Sequence, residues 1–307
     1  MKNHSLILLT LLAMILVLSA CGPATSNDPA NPTPSIETPT ATQPAESPEP
    51  QVTPTEAVTF VATVNGEGIR QTSFEASLAQ LQTALETYPD LVGSDETPEE
   101  VVIAELVNRT LLAQAAREAG FTADLQMTVE KMAALIEQAG GNEAFEDWLG
   151  DNGYTLESFS YEVPLEMEAA WQRDQIAAGV PDQVEQVRAR QILFYDPFQA
   201  TRAKDQLDAG FAFETIAQNN DPDNLGYLDW FPRGVLLFPE LEEVAFSLAP
   251  GQYSDVIETD AGSHILYVYE KGMHPLSTEA RMILEEQAVA DWLASQRAAA
   301  DIQIMLP

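Results

Sequence analysis

"SDVIETDAGSHILYVYEKG", residues 254–272, is the stretch on which the reading of the fold turns. Two runs rich in β-branched, aromatic and aliphatic residues flank Asp260 to Gly262, the grammar of two strands joined by a turn. His264 lies in the second run. Of the other histidines, His4 falls in an apolar N-terminal segment and His274 precedes Pro275 in what reads as a connector. An imidazole among apolar neighbours is ordinarily a hydrogen-bonded core residue. Its role here depends on what the rest of the chain builds around it.

Upstream, "VEQVRARQILFYD" (184–196) is strand-like, and "DPFQATRAKDQLDAG" (196–210) reads as a helix capped by Asp196 with Pro197 at its first position. "FAFETIAQ" (211–218) and "PELEEVAFSL" (239–248) read as two more helices, with Gly251 ending the second. Strand, helices, strand, strand without βαβ repetition predicts an α+β domain whose sheet is largely antiparallel. Its linkers are expected near Gly179 to Asp182 and Gly272 to Pro275.

Outside this segment the period is helical. "VTFVATVNGEGI" (58–69) reads as a strand with an Asn65-Gly66 turn, followed by a helix with Ser73 as its cap. Thr97-Pro98-Glu99-Glu100 opens a long helix ending at Gly120, with Thr97 and Glu100 spaced as a capping box. Further helices are expected over Asp124 to Gln138, Glu143 to Leu149 and Thr155 to Ala178, the last interrupted or kinked at Pro164. Helical sequence returns over Thr278 to Ala299, and "DIQIML" closes as a strand candidate. Helical character on both sides of the α+β segment suggests an inserted domain.

The N-terminus concerns address. Lys2 precedes an almost unbroken apolar run from Leu6 to Leu18, and Leu18-Ser19-Ala20-Cys21 closes it with small residues. As a helix that run rises only about 20 Å, short of a bilayer core of roughly 30 Å, so residues 1–21 read as a signal peptide. Residues 22–56 contain nine prolines and few aliphatics. Such a stretch buries too little apolar area to offset its ordering entropy and reads as an extended, disordered linker. Cys21 is the single cysteine, so no internal disulfide can form. A net charge of -34, from 14 basic and 48 acidic residues, makes nucleic acid an improbable partner.

These segments resemble the parvulin-type peptidyl-prolyl isomerases, set in the arrangement of the PrsA and SurA kind of secreted foldase. The family's opening Val-x-Ala-x-His-Ile-Leu strand is matched by Val187, Ala189, Ile192 and Leu193, with Gln191 where the family has a histidine. Its Gly-Gly-Asp-Leu-Gly-Trp-Phe signature is similar to Gly226-Tyr227-Leu228-Asp229-Trp230-Phe231, followed by Arg233-Gly234. The Pro-Glu-Phe-Glu-x-Ala-x-Phe helix resembles Pro239, Glu240, Leu241, Glu242, Ala245 and Phe246, and Thr-x-x-Gly-x-His-Ile resembles Thr259, Gly262, His264 and Ile265. "VATVNGEGI" (61–69) and "LVNRTLLAQAAREAGF" (106–121) are similar to the foldases' helical domain, and Leu18 to Cys21 to a lipoprotein lipobox.

The resemblance implies a helical SurA/PrsA-like chaperone domain (57–180, completed by 276–307) with an inserted parvulin-like domain (184–273), an antiparallel sheet flanked by helices. It implies isomerisation of X-Pro bonds in exported, unfolded polypeptides, without cofactor or metal. On it His264, Asp223, Gln191 and Thr259 form the polar side of the site and Leu228, Leu237, Leu241 and Phe246 the apolar grip on the proline ring, with the register around Leu236 to Phe238 open by one residue. Cys21 becomes the lipid anchor of an extracytoplasmic, membrane-attached protein. Because glutamine cannot titrate, a catalytically weak holdase of the same architecture is the alternative. A solute-binding lipoprotein would need repeated βαβ units, which the sequence lacks.

Overall fold

The structure, a computed structural model, describes residues 58–221 and 225–306; the expected signal peptide, linker and lipidation site at Cys21 lie outside them. The chain has an α+β fold and divides into two units, one of residues up to 107, 126–162 and from 302 on, the other of 108–125 and 163–301. Two of the four boundaries, after 107 and after 162, fall inside long helices.

In the first unit, β1 (Phe60–Val64) turns at Asn65 (φ 51°) and Gly66 (φ 84°) into β2 (Glu67–Arg70), as an Asn-Gly pair favours. β7 (Ile302–Ile304), the last strand, pairs antiparallel with the other edge of β1, Ala62 opposite Ile304. Residues from the two ends of the described chain thus share one sheet of order β2-β1-β7. α1 (Gln71–Thr87) begins two residues before the expected cap. Ser73 is therefore inside the first turn and buried, and its hydroxyl donates to the buried Glu162 carboxylate instead of capping the helix.

α2 (Pro98–Glu118) starts with the predicted capping box: the Thr97 amide donates to Glu100 Oε2 at 2.8 Å and the Glu100 amide to Thr97 Oγ1 at 3.2 Å. Gly120 follows at φ 92°, the left-handed conformation that terminates helices. α3 (Leu125–Ala139) and α4 (Asn142–Asp151) follow, and α5 (Leu156–Ala178) runs through Pro164 without interruption. Pro164 removes only the amide donor that would bond the Ser160 carbonyl.

The second unit is organised by β3 (Gln183–Phe194) and β6 (Gly262–Pro275), paired antiparallel from Gln183 opposite Pro275 to Phe194 opposite Ser263. The expected linker at Gly272 to Pro275 is therefore strand, and His274 is part of it. Two features tie down this end of the ribbon. The buried Gln186 amide donates to the carbonyls of His274 at 2.8 Å and Pro275 at 3.1 Å, and the His274 ring stacks on Trp230 at 4.5 Å. β4 (Tyr227–Pro232) and the short β5 (Ile257–Thr259) complete a four-stranded sheet of order β4-β3-β6-β5.

Strand alternation gives that sheet two faces. Ile192, Phe194 and Ile265 pack with Ala200, Leu207, Phe213 and Ile216 from α6 (Pro197–Asp208) and α7 (Phe213–Asn220). Val187, Ala189, Leu266 and Val268 pack with Leu241, Ala245 and Phe246 from α8 (Pro239–Ser247). α9 (Thr278–Ala299) is capped by Ser277, whose hydroxyl accepts from the Ala280 amide at 3.1 Å, and its Val289 and Leu293 pack with Leu112 and Ala169. Among the described residues no helix is long and apolar enough to cross a membrane.

Candidate active site

The site lies on the α8 face of the sheet, near the closed end of the β3–β6 ribbon. Pairing sets Leu193 opposite His264 and Gln191 opposite Leu266. Residues two apart share a face, so Gln191 and His264 are diagonal neighbours on one face. The turn after β5 brings Thr259 up from the other side. His264 is 2% exposed. Its Nε2 lies 2.9 Å from Thr259 Oγ1, and its Nδ1 lies 3.1 Å from Gln191 Oε1.

An amide oxygen only accepts, so Nδ1–H donates to Gln191, and Nε2 of a neutral imidazole accepts from the Thr259 hydroxyl, whose one proton also has the Gly262 carbonyl within reach at 3.3 Å. Thr259 Oγ1 in turn accepts from the Ala261 amide at 3.1 Å. Burial pushes the imidazole below its ordinary pKa, while the negative charge of Glu258 pulls weakly in the opposite direction. At neutral pH the ring is uncharged, consistent with the donor-acceptor chain.

Two glycines permit this approach. Gly226, at φ 65°, accepts on its carbonyl from the Gln191 backbone N–H at 2.8 Å, and a Cβ there would sit 1.7 Å from the Gln191 carbonyl oxygen. Gly262, at φ 139°, lies so close to Phe194 that a Cβ would meet its carbonyl oxygen at 2.6 Å. Both positions place backbone where a side chain has no room.

The apolar side is built from the approach to α8 and from the helix itself. Leu241 and Phe246 are buried, and Leu228, Leu236, Phe238 and Ile257 pack partly buried against the same cluster. Phe238 precedes Pro239 and is extended (φ -109°, ψ 104°), the conformation a following proline favours. Its ring lies 5.9 Å from that of His264. Leu237, between two inward-facing neighbours, is 83% exposed. An extended segment alternates its side chains, so Leu236 and Phe238 can face the cluster only if Leu237 faces water.

The structure therefore brings together Gln191, Thr259 and His264 on the polar side, and Leu228, Leu241 and Phe246 on the apolar side; it does not bring Leu237 to them. Asp223 lies outside the described residues. Phe238 is the contact that sequence reasoning left inside its one-residue uncertainty, and the X-Pro rule at Pro239 is the signal that could have selected it. Among the described residues no group of three or more His, Cys, Asp or Glu side chains is placed to hold a metal.

A hydrogen-bonded, uncharged imidazole beside an apolar wall can receive a ring and the amide attached to it. The barrier to X-Pro rotation, about 18–20 kcal/mol, is lost amide resonance, so a site that binds the twisted amide better than the planar one lowers it without covalent chemistry.

The segment that carries this site is similar to a known class of isomerase domain. Residues 197–270 match the PPIC-type PPIASE domain, and residues 49–170 match the SurA-like N-terminal domain. The chain is similar to the Parvulin-like PPIase of Rickettsia felis, 31% identical over 137 residues, which cover 40% of this chain and 48% of that protein. It is also similar to Foldase protein PrsA 2 of Bacillus anthracis, 30% identical over 176 residues, 53% of this chain and 61% of that protein. Against the crystal structure of peptidylprolyl isomerase (PrsA) from Bacillus anthracis the TM-score is 0.42 at 21% identity, covering 64% of this chain and 96% of that one. The chain spans about half the length of the curated relatives it matches. It carries a PPIC-type parvulin domain together with a SurA-like N-terminal domain.

Proposed function

We propose that the chain is an extracytoplasmic foldase that catalyses cis/trans isomerisation of X-Pro bonds in exported, unfolded polypeptides. The observation that carries this reading is the Thr259–His264–Gln191 hydrogen-bond chain, with Phe238 beside the imidazole. The proline ring enters the wall of Leu228, Phe238, Leu241 and Phe246, and its amide lies along the polar side, where water does not stabilise the planar dipole. Asp223 belongs to this proposal on the family resemblance alone.

The proposal includes the division expected from sequence, with residues 184–273 inserted between 57–180 and 276–307. It is supported by the pairing of β7 with β1, which joins residues from both sides of the expected insertion in one sheet. It also includes a lipid anchor at Cys21, with residues 22–56 as the tether, and client holding by the helical segments. A second reading is favoured by Gln191 itself: with glutamine in place of a titratable partner, the same architecture would serve as a holdase with weak turnover.

A proline-switch peptide assay on wild type and His264→Ala separates the two. A wild-type rate above background that falls in the variant supports the foldase; equal and negligible rates in both leave the holdase.

A further inference from the structure

The segment that carries Leu236 and Phe238 into the site is short, running only from Gly234 to the start of α8, and its outer end is gripped from two directions. The Gly234 amide donates to Glu242 Oε2 at 2.7 Å, from within α8. The Gly234 carbonyl accepts from Gln287 Nε2 at 2.5 Å. Gln287 belongs to α9, beyond the residues 197–270 that match the isomerase domain. Gly234 stands at φ 87°, and a Cβ on it would meet Gln287 Oε1 at 2.5 Å, so the side chain lies directly against the backbone turn. α9 is itself fixed near its start, where Arg281 Nη2 reaches Asp182 Oδ1 at 2.7 Å and the Leu276 amide donates to the Asp182 carbonyl at 3.1 Å. From Arg281 to Gln287 the helix rises only about 9 Å, which leaves Gln287 on a rigid, anchored lever.

We infer that Gln287 is a positioning residue for the isomerase site, holding the Gly234 turn so that Phe238 closes against His264. Its contact ties the catalytic segment to a helix outside it, and the inference rests on the isomerase reading of the site. Glu242 alone leaves the turn pinned only from α8, the element that the turn must itself align. With Gln287 in place, the turn is referenced to α9 and, through Asp182, to the base of the β3–β6 ribbon.

The test uses Gln287→Glu, which keeps length and helix propensity but replaces the donor with a carboxylate facing the Gly234 carbonyl and sharing the turn with Glu242. Gln287→Met is the uncharged second variant, and Glu286→Gln, one exposed position away, is the control. In a peptide isomerase assay on the full chain, Gln287→Met is expected to lower kcat/KM about three- to tenfold, the scale of one hydrogen bond, and Gln287→Glu at least as much. The control should match wild type, and the melting temperatures should coincide. The His264 ring proton resonances, which sense the Phe238 ring current, are expected to shift in both Gln287 variants and not in the control. Wild-type rates and unshifted resonances in both variants overturn the inference while leaving the isomerase reading intact. A wild type without activity overturns that reading instead, and the resonances then still decide whether Gln287 positions Phe238.

Discussion

His264 Nδ1 and Gln191 Oε1 meet at 3.1 Å across a diagonal of the β3–β6 ladder. The contact sets the tautomer of the only imidazole buried in the sheet among the described residues. Glutamine holds this geometry without a titratable group, so the contact itself brings no second ionisation to the imidazole.

Removing the imidazole should uncouple both partners. His264→Ala is expected to lower kcat/KM on an Xaa-Pro peptide by about tenfold or more, since a lost hydrogen-bond pair is worth roughly 1–3 kcal/mol and 1.4 kcal/mol is tenfold. The same variant should lose about 2–3 kcal/mol of unfolding free energy in urea, from the cavity and the unpaired Thr259 and Gln191 groups.

Gln191→Leu tests the tautomer. Without the amide acceptor, Nδ1–H has no partner, and nitrogen NMR of the ring should report a changed Nδ1–H to Nε2–H balance. The cost to stability should be about 1–3 kcal/mol, the penalty for an unsatisfied buried donor. Ring nitrogen shifts identical to wild type would contradict the assigned donor.

The depressed His264 pKa makes a signed prediction for pH. The unfolded chain binds a proton near its ordinary value of about 6.5 while the folded chain resists it until lower pH. The contribution of His264 is therefore fully present above about pH 6.5 and is lost as pH falls through that value toward the native one. The slope is at most about 1.4 kcal/mol per pH unit. Chemical denaturation between pH 7 and 5 should show a stability loss that His264→Gln reduces, against the background of the titrating carboxylates.

Phe238→Ala and Leu237→Ser should separate cleanly. The first removes the ring beside His264 and is expected to raise KM and lower kcat/KM about tenfold. The second alters a residue that is 83% exposed and should leave the rate unchanged within twofold. The reverse ranking would move the apolar wall by one residue.

Gly226→Ala places a methyl group on the Gln191 carbonyl at a left-handed φ of 65°. A loss of about 3 kcal/mol or more is expected in urea unfolding, together with loss of isomerase activity, because β4 can then no longer start beside Gln191.

Local chemistry wrote much of this in the sequence. The Thr97–Glu100 box, the Asn65-Gly66 turn, the Asp196 cap and the paired runs around Asp260 to Gly262 are all formed as their residue types predict, because each is satisfied within a few residues of backbone. Ser73 behaved differently. Its pattern is that of a cap, but the buried Glu162, 89 residues away, offered its hydroxyl a partner that no local window contains.

The site divides in the same way. The spacing of Thr259, Gly262 and His264 is local and determines by itself that hydroxyl and imidazole meet across one tight turn. That Gln191 completes the chain and that Gln287 reaches the Gly234 turn were decided only by strand register and helix packing. Those relations join residues far apart in the chain, and a one-residue change of strand register would turn Gln191 to the opposite face of the sheet.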